Sequence, residues 1–511
     1  MANRAVPLIL SGLVAALVLG TALVLALQAD SFTLRPAEWA ALRFTLTQAT
    51  LSALVSTCLA IPLARALTRR RFVGRGAMIA LMGAPFLLPT VVAVVGMLAV
   101  YGRNGVANQM LAALHLPPVS IFGLQGVVLA NVFFNLPLAT RILLNGWSAI
   151  PAERFRLAET LGLPPRSTFR HIELPMLRDL APGAFVVVFL LCMSSFVISL
   201  TFGGGPRATT LELALYQALR FDFDLGRAAL LAGMQFVVCA VAVILAGRLT
   251  LPSGFGTGQD RTQTLHAAPG WRRLVDAVLL AATLAFLVLP LIAVLHMGLP
   301  GLLTLTGPVW QAAQRSVAIA VASASLATAA GLSLALAVAS RAPASRWIEL
   351  AAMLPMAASG LVLGTGLFLI IHPVMPPERA ALPITILVNA TIALPFLYRL
   401  LLPEARTLVE GYDRLCTTLN LHGIARLRHV TLPRLARPLG LGSGIAAALS
   451  MGDLGVIALF AGDQTATLPL MVQRLAGAYR MDQAAAASLV LVALSFSLFY
   501  LCDKGGRHVA P

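Results

Sequence analysis

The chain has 511 residues, of which 59% are hydrophobic and only 11% charged. Soluble domains carry about 25% charged residues, so composition excludes a water-soluble globular protein and implies an integral membrane protein. The net charge of +17 would suit a nucleic-acid partner, but the arginines sit in short loops between apolar runs, where membrane topology accounts for them and no nucleic acid is needed.

A bilayer-spanning helix needs roughly 20 apolar residues. The first run, about 6–28, follows Arg4 and has the look of a signal peptide. It is longer than the usual apolar region of about 7–15 residues, so it reads as an uncleaved span. Further runs cover about 44–67, 76–101, 119–140, 180–203 and 228–247. Residues 248–272 are rich in Gly, Ser, Thr and Pro and read as a linker. Six more runs follow, at about 274–296, 316–338, 348–371, 381–402, 438–461 and 484–502. The fold class is therefore an all-α polytopic membrane protein of about twelve transmembrane helices. Residues 1–247 and 273–511 form two six-span repeats of the same orientation, joined by the linker.

Arginines concentrate on alternate loops. They crowd 69–75 and the segments 151–178 and 403–437, whereas 297–314 has no charged residue. By the positive-inside rule both termini, the linker and both arginine-rich segments face the cytoplasm of a bacterial inner-membrane protein. The two segments are copies of one another. Arg156–Pro175 maps onto Arg414–Pro433 by a shift of 258 with no gap and nine identities in twenty. The same shift relates Asn131, Pro137 and Arg141 to Asn389, Pro395 and Arg399, and Phe202 and Asp224 to Phe460 and Asp482. Pro85 and Gly96 match Pro355 and Gly366 at a shift of 270, so the second half lacks twelve residues of an outer loop.

Each copy reads as a short helix, a sharp stop and a second short helix. Pro151 suits a first helical position and Pro403 opens a longer run. Gly162 suits the left-handed position past a helix end, and Asn420 is the next most tolerant residue there. Phe155, Ala158 and Leu161 fall on one helical face. His171 and His429 occupy equal places, which fits either packing against a partner or pH sensing.

This segment resembles the EAA loop of the membrane subunits of ATP-binding-cassette (ABC) importers, whose pattern is E-A-A, three residues, G, nine residues, I-x-L-P. The first copy keeps Ala158, Gly162, Ile172, Leu174 and Pro175; the second keeps Val430, Leu432 and Pro433. The family's Glu position holds Arg156 and Arg414, which reverses the charge offered there, and Asn420 replaces the second Gly. The fused two-copy layout is similar to the permeases of thiamine and ferric-iron importers. The resemblance implies a channel-forming subunit that is not itself an enzyme. Its partners would be two copies of an ATPase subunit and a periplasmic substrate-binding protein, with membrane lipid around it.

The energy source must lie elsewhere. A phosphate-binding loop needs G-x-x-x-x-G-K-[ST], and the only lysine is Lys504, in Asp503-Lys504-Gly505-Gly506. ATP and Mg would be used by the partner ATPase, and this chain needs no cofactor. The five cysteines are scattered without a C-x-x-C pair, so no metal site is implied. Along the pathway Asp453 stands out, because an acid within a span is costly and usually functional or paired. Its counterpart is Ser195, and an acid here would suit a cationic substrate such as thiamine, or be hydrogen-bonded within the bundle. Asn131, Asn389, Pro137 and Pro395 are further pathway candidates, as paired polar groups and kinks within spans. The segment Gly203–Pro206 reads as an outer turn, with Gly462 and Asp463 in its place. A secondary transporter with two six-span halves would look similar in hydropathy, but it does not account for the paired I/V-x-L-P loops. A membrane enzyme would need a cluster of His, Asp or Cys at membrane depth, which the sequence does not show.

Overall fold

Inside a bilayer each peptide group must find its partner within the protein, and an apolar helix does so within its own segment. The computed structural model describes residues 2–29, 33–83, 88–203, 205, 208–246, 270–341, 344–462 and 464–509. Among these there is no strand, and 11 helices are long and apolar enough to cross a membrane, or 12 if one bent pair counts as a span. The first half runs α1 (Ala2–Gln28), α2 (Pro36–Arg69), α3 (Arg75–Leu81), α4 (Thr90–Tyr101), α5 (Val106–Ala113) and α6 (Leu124–Ala149). It continues with α7 (Ala152–Thr160), α8 (Pro165–Thr168), α9 (Leu174–Met193), α10 (Phe196–Phe202), α11 (Leu211–Arg220) and α12 (Leu225–Ala246). The second half repeats the order without a counterpart of α5 and with the equivalents of α6 and α7 merged: α13 (Gly270–Gly301), α14 (Gly307–Ala339), α15 (Ser345–Met353), α16 (Gly360–Ile371) and α17 (Pro377–Thr418). Then follow α18 (Gly423–Arg426), α19 (Leu432–Met451), α20 (Gly455–Phe460), α21 (Leu468–Gly477) and α22 (Met481–Val509). The expected linker lies outside the described residues up to 269, and residues 270–272 already belong to α13.

Four of the expected spans are not single helices. The run 348–371 bends by 95° between Ala357 and Gly360. A 3-10 turn holding Pro355 ends the first piece, and the Ser359 hydroxyl accepts the Val362 N–H at 3.3 Å to start α16. The run 76–101 is likewise divided into α3 and α4, with Pro89 in extended conformation before α4. The runs 180–203 and 438–461 break after Met193 and Met451, each break at one of the positions matched above, Ser195 and Asp453.

Besides α5, two matched helices were not anticipated from the sequence. α11 and α21, of 10 residues each, are too short to cross a bilayer. Each is pinned at its start to a span of its own half: the Leu211 N–H donates to Thr45 Oγ1 and the Leu468 N–H to Ser316 Oγ, both at 2.8 Å. The repeated Thr-Leu at 210–211 and 467–468 was their signal. One sequence match also shifts. Asp224 precedes α12 and accepts the Arg227 N–H, and the residue in its place before α22 is Arg480; Asp482 is inside that helix. The twelve extra residues of the first half form a folded outer cap, where Asn108 bonds the backbone of Gly102 and of Val119.

Two belts of exposed tryptophan frame the bundle. Trp39 and Trp310, 271 residues apart, open α2 and α14 at one end, while Trp271 and Trp347 sit near the starts of α13 and α15 at the other. Indole rings favour the membrane–water interface, which suits these positions at the ends of spans.

The halves are interlocked through their first helices. α1 packs on α14, α15 and α16 of the second half, and α13 packs on α4 of the first. Both crossings depend on a glycine. A Cβ on Gly96 would lie 2.4 Å from the Pro290 carbonyl oxygen, and one on Gly366 would lie 2.6 Å from Thr21 Cβ. Gly96→Val and Gly366→Val are each expected to cost about 1–3 kcal/mol through overpacking. Thermal unfolding in detergent should show both destabilised, with Gly12→Ala, where nothing lies within 4 Å, as the unchanged control.

Candidate functional site: paired docking loops and the pathway between the halves

The two repeated loops close their short helices in the same way. α7 ends in a left-handed residue, Gly162 at φ +62°, with the Gly162 N–H bonded to the Glu159 carbonyl and the Leu163 N–H to that of Ala158. The second loop repeats both bonds, Asn420 to Thr417 and Leu421 to Cys416, with Asn420 at φ +53°. After each stop comes one helical turn and then a π-helical turn, Phe169–Glu173 or Leu427–Thr431, holding Ile172 or Val430. Leu174–Pro175 and Leu432–Pro433 then begin α9 and α19. Proline is suited to such a first turn because its nitrogen has no proton to pair.

The inner and outer faces of these loops differ in part from the sequence expectation. Phe155 and Ala158 are buried, but Leu161 is 64% exposed, and it pairs at i, i+4 with Leu157, 61% exposed. Leu415 and Leu419 repeat this exposed apolar pair, and Ile424 beyond them is 82% exposed. Arg156 and Arg414 point to solvent beside these leucines. His171 is exposed, with Nδ1 2.9 Å from the Ser167 carbonyl oxygen. Pro151 precedes α7 as its cap rather than sitting in its first turn, and Pro403 lies inside the 42-residue α17 rather than opening a run. The reason is Ile150–Pro151 itself: proline drives the preceding residue into extended conformation, and Ile150 has ψ 124°. The matching pair Leu408–Val409 carries no such restriction, so α17 continues unbroken.

At the breaks in α9–α10 and α19–α20 the orphaned backbone is met by side chains. In the first half the Cys192 carbonyl accepts from Gln48 Nε2 at 2.9 Å and from the Ser195 hydroxyl at 2.8 Å. Asn131 donates to Gln48 Oε1 at 2.8 Å and reaches Ser195 Oγ at 3.5 Å. In the second half Asn389 donates to Ser450 Oγ at 3.0 Å, and Ser450 in turn to Ser323 Oγ. Asp453 caps α20: its Oδ1 accepts from the Val456 N–H at 3.5 Å, and the Gly455 and Ile457 amides and the Asn389 side chain lie within reach. Its Oδ2 is buried without a hydrogen-bond partner. The first half supplies its acid from another place. Ser195 cannot provide a carboxylate, and Glu212 of α11, 2% exposed, lies beside Phe196 at the start of α10 and Ser359 of the other half. Pro469 holds the position of Glu212 in α21.

Above these breaks a cavity of about 230 Å³ lies between the halves, lined equally from each. Leu200, Leu213, Tyr216, Gln217, Arg220 and Phe221 face Leu454, Ala458, Ala461, Leu470, Gln473 and Arg474. Arg220 closes across the seam onto the Ala461 carbonyl at 3.1 Å. Asp453 and Glu212 each adjoin a lining residue, Leu454 and Leu213. Pro137 and Pro395 are buried within α6 and α17 and are not among the lining residues. Pockets for small molecules usually measure about 300–1,000 Å³, so this chamber is smaller than most of them.

No family model matches the chain. Among curated relatives it is 39% identical over 488 residues to the thiamine transport system permease protein of Salmonella typhimurium, covering 92% of this chain and 90% of that one. The Escherichia coli K12 protein of the same name is 39% identical over 486 residues, and that of Brucella abortus 37% over 474. The chain belongs to the permease family of thiamine transport systems.

In this permease the loop motif is therefore a sound guide to family, and the expectation of an ABC-importer permease similar to those for thiamine holds. Asn131 and Ser195, both pathway candidates from the sequence, lie 3.5 Å apart at this break; Gln48, Ser323 and Glu212 were not singled out by the sequence. Ser323 matches Ser52 at a shift of 271, which neither 258 nor 270 reveals. Two outcomes are expected. Gly162→Val forces a β-branched residue into a left-handed conformation at about 1–2 kcal/mol, with no clash, since nothing lies within 4 Å of its Cβ. ATP-driven uptake by reconstituted protein should fall in Gly162→Val and persist in Gly162→Asn, which copies Asn420. Asp453→Asn keeps the acceptor for Val456 and removes the charge, so uptake should drop while protein yield and basal ATP hydrolysis hold; loss of yield instead marks Asp453 as structural.

Proposed function

We propose that this chain is the pathway-forming permease subunit of an ATP-driven importer that carries thiamine or a thiamine-like cation across a bacterial inner membrane. Each exposed leucine pair, Leu157–Leu161 and Leu415–Leu419, seats in one of two identical ATPase subunits, which bind the ATP and Mg. A periplasmic binding protein delivers the solute to the opposite face, above the cavity. Closure of the ATPase pair rocks one half against the other and opens the chamber alternately to either side, a rigid-body transition of the hinge kind. The observation that carries this reading is the exact repetition of the loop stop in both halves, at Gly162 and Asn420, beside matched exposed leucines in a chain without a phosphate-binding loop. The acids at the breaks, Asp453 and Glu212, fit passage of a cation.

Purification of the chain with its ATPase should yield one permease to two ATPase subunits, and proteoliposomes should take up thiamine only with ATP and the binding protein. Single cysteines at positions 166 and 424, both exposed, should label only from the cytoplasmic side. Uptake driven by a proton or sodium gradient without any ATPase, or labelling at these positions from outside, would sink the proposal.

A further inference from the structure

The two docking loops are held to their halves by different means. In the first, Glu173 of the π-turn is 1% exposed and takes a two-pronged ion pair from Arg65 of α2, Nε to Oε2 at 2.6 Å and Nη2 to Oε1 at 2.9 Å. The buried Trp147 indole donates to Glu173 Oε2 at 3.3 Å, and the Arg65 guanidinium lies 4.6 Å from the centre of the Phe169 ring. These four residues join α2, the end of α6 and the loop at one point. At the repeat shifts of 271 and 258 the second half has Leu336, Ala405, Leu427 and Thr431 in their places, with no ion pair. Its loop pairs instead within itself, Arg426 to Asp413 at 2.8 Å on the surface.

The second difference explains the first. α17 runs as one helix from the bilayer through the docking helix, with Pro403 inside it, so a push on Leu415 is carried along a continuous helical backbone. The first half is cut at Ile150–Pro151, and α7 is a separate piece. A displaced α7 would bend at that cut unless something else tied the loop to the spans.

We propose that the Arg65–Glu173–Trp147 cluster is a strut that replaces helix continuity in the first half, so that Arg65 and Glu173 are positioning residues for transport. The inference rests on the docking of an ATPase to both loops. The test uses the complete importer in proteoliposomes, with solute taken up per ATP hydrolysed as the readout. Arg65→Leu with Glu173→Thr installs the residues of the second half and leaves no unpaired buried charge. Uptake per ATP should fall about fivefold, while the ATPase still co-purifies at the native ratio. Adding Pro151→Val, the residue found at Val409, should restore most of the coupling by letting α6 run into α7. Unchanged coupling in the double variant overturns the strut, and so does a loss that Pro151→Val does not recover. If the double variant fails to accumulate, Glu173→Gln, which keeps the side-chain shape, is judged by the same two criteria. Failure of the native chain to bind an ATPase at all removes the docking reading instead, and it is visible before any variant is made.

Discussion

A helix that stops inside a bilayer leaves amides and carbonyls that water cannot reach, each costing several kcal/mol if unmet. This permease stops helices at four such places, and the arrangement of its polar side chains follows from that. Gln48 and Ser195 serve the carbonyl at Cys192, with Asn131 holding Gln48, while Asp453 accepts an amide of α20 and Glu212 lies beside the start of α10. Most of these groups would be hard to explain as core residues of a membrane bundle. They become necessary once the backbone beside them is broken, and the breaks in turn free short segments, α10, α11, α20 and α21, to line a chamber between the halves.

The repeat is preserved at the level of what is needed rather than of which residue supplies it. One half draws its acid from the break and the other from the neighbouring short helix, and the proline at 469 stands where the other half has Glu212. The docking loops behave likewise, with glycine and asparagine adopting the same left-handed turn. An exchange of this kind leaves geometry intact while changing which substitutions each half tolerates.

Much of this was legible in the chain. Apolar run lengths gave the spans, because a bilayer imposes one length, and a gapless match gave the loops, because a left-handed stop admits few residues. The broken spans were less legible: hydropathy averages over a kink, and only Pro89, Pro355 and the polar pairs at 194–195 and 452–453 mark where the helix ends. The exposure of Leu161 was not legible for a related reason, since periodicity tells which residues share a face and not whether that face is covered by the protein. The continuity of α17 through Pro403 went unseen because proline was read as a start, whereas the decisive residue was its absence at Val409.

The exchange of first helices between the halves bears on how the protein is made. α1 is made well before the second-half helices that receive it, α14 to α16, which end at Ile371. At about 5–20 residues per second, a ribosome needs on the order of tens of seconds to produce them. For that interval α1 has only α12 of its own half to pack on, and the face that will meet Gly366 lies against acyl chains. Its run from Ala5 to Gln28 carries no charged residue, so it can wait there without cost until its resting place has been synthesised.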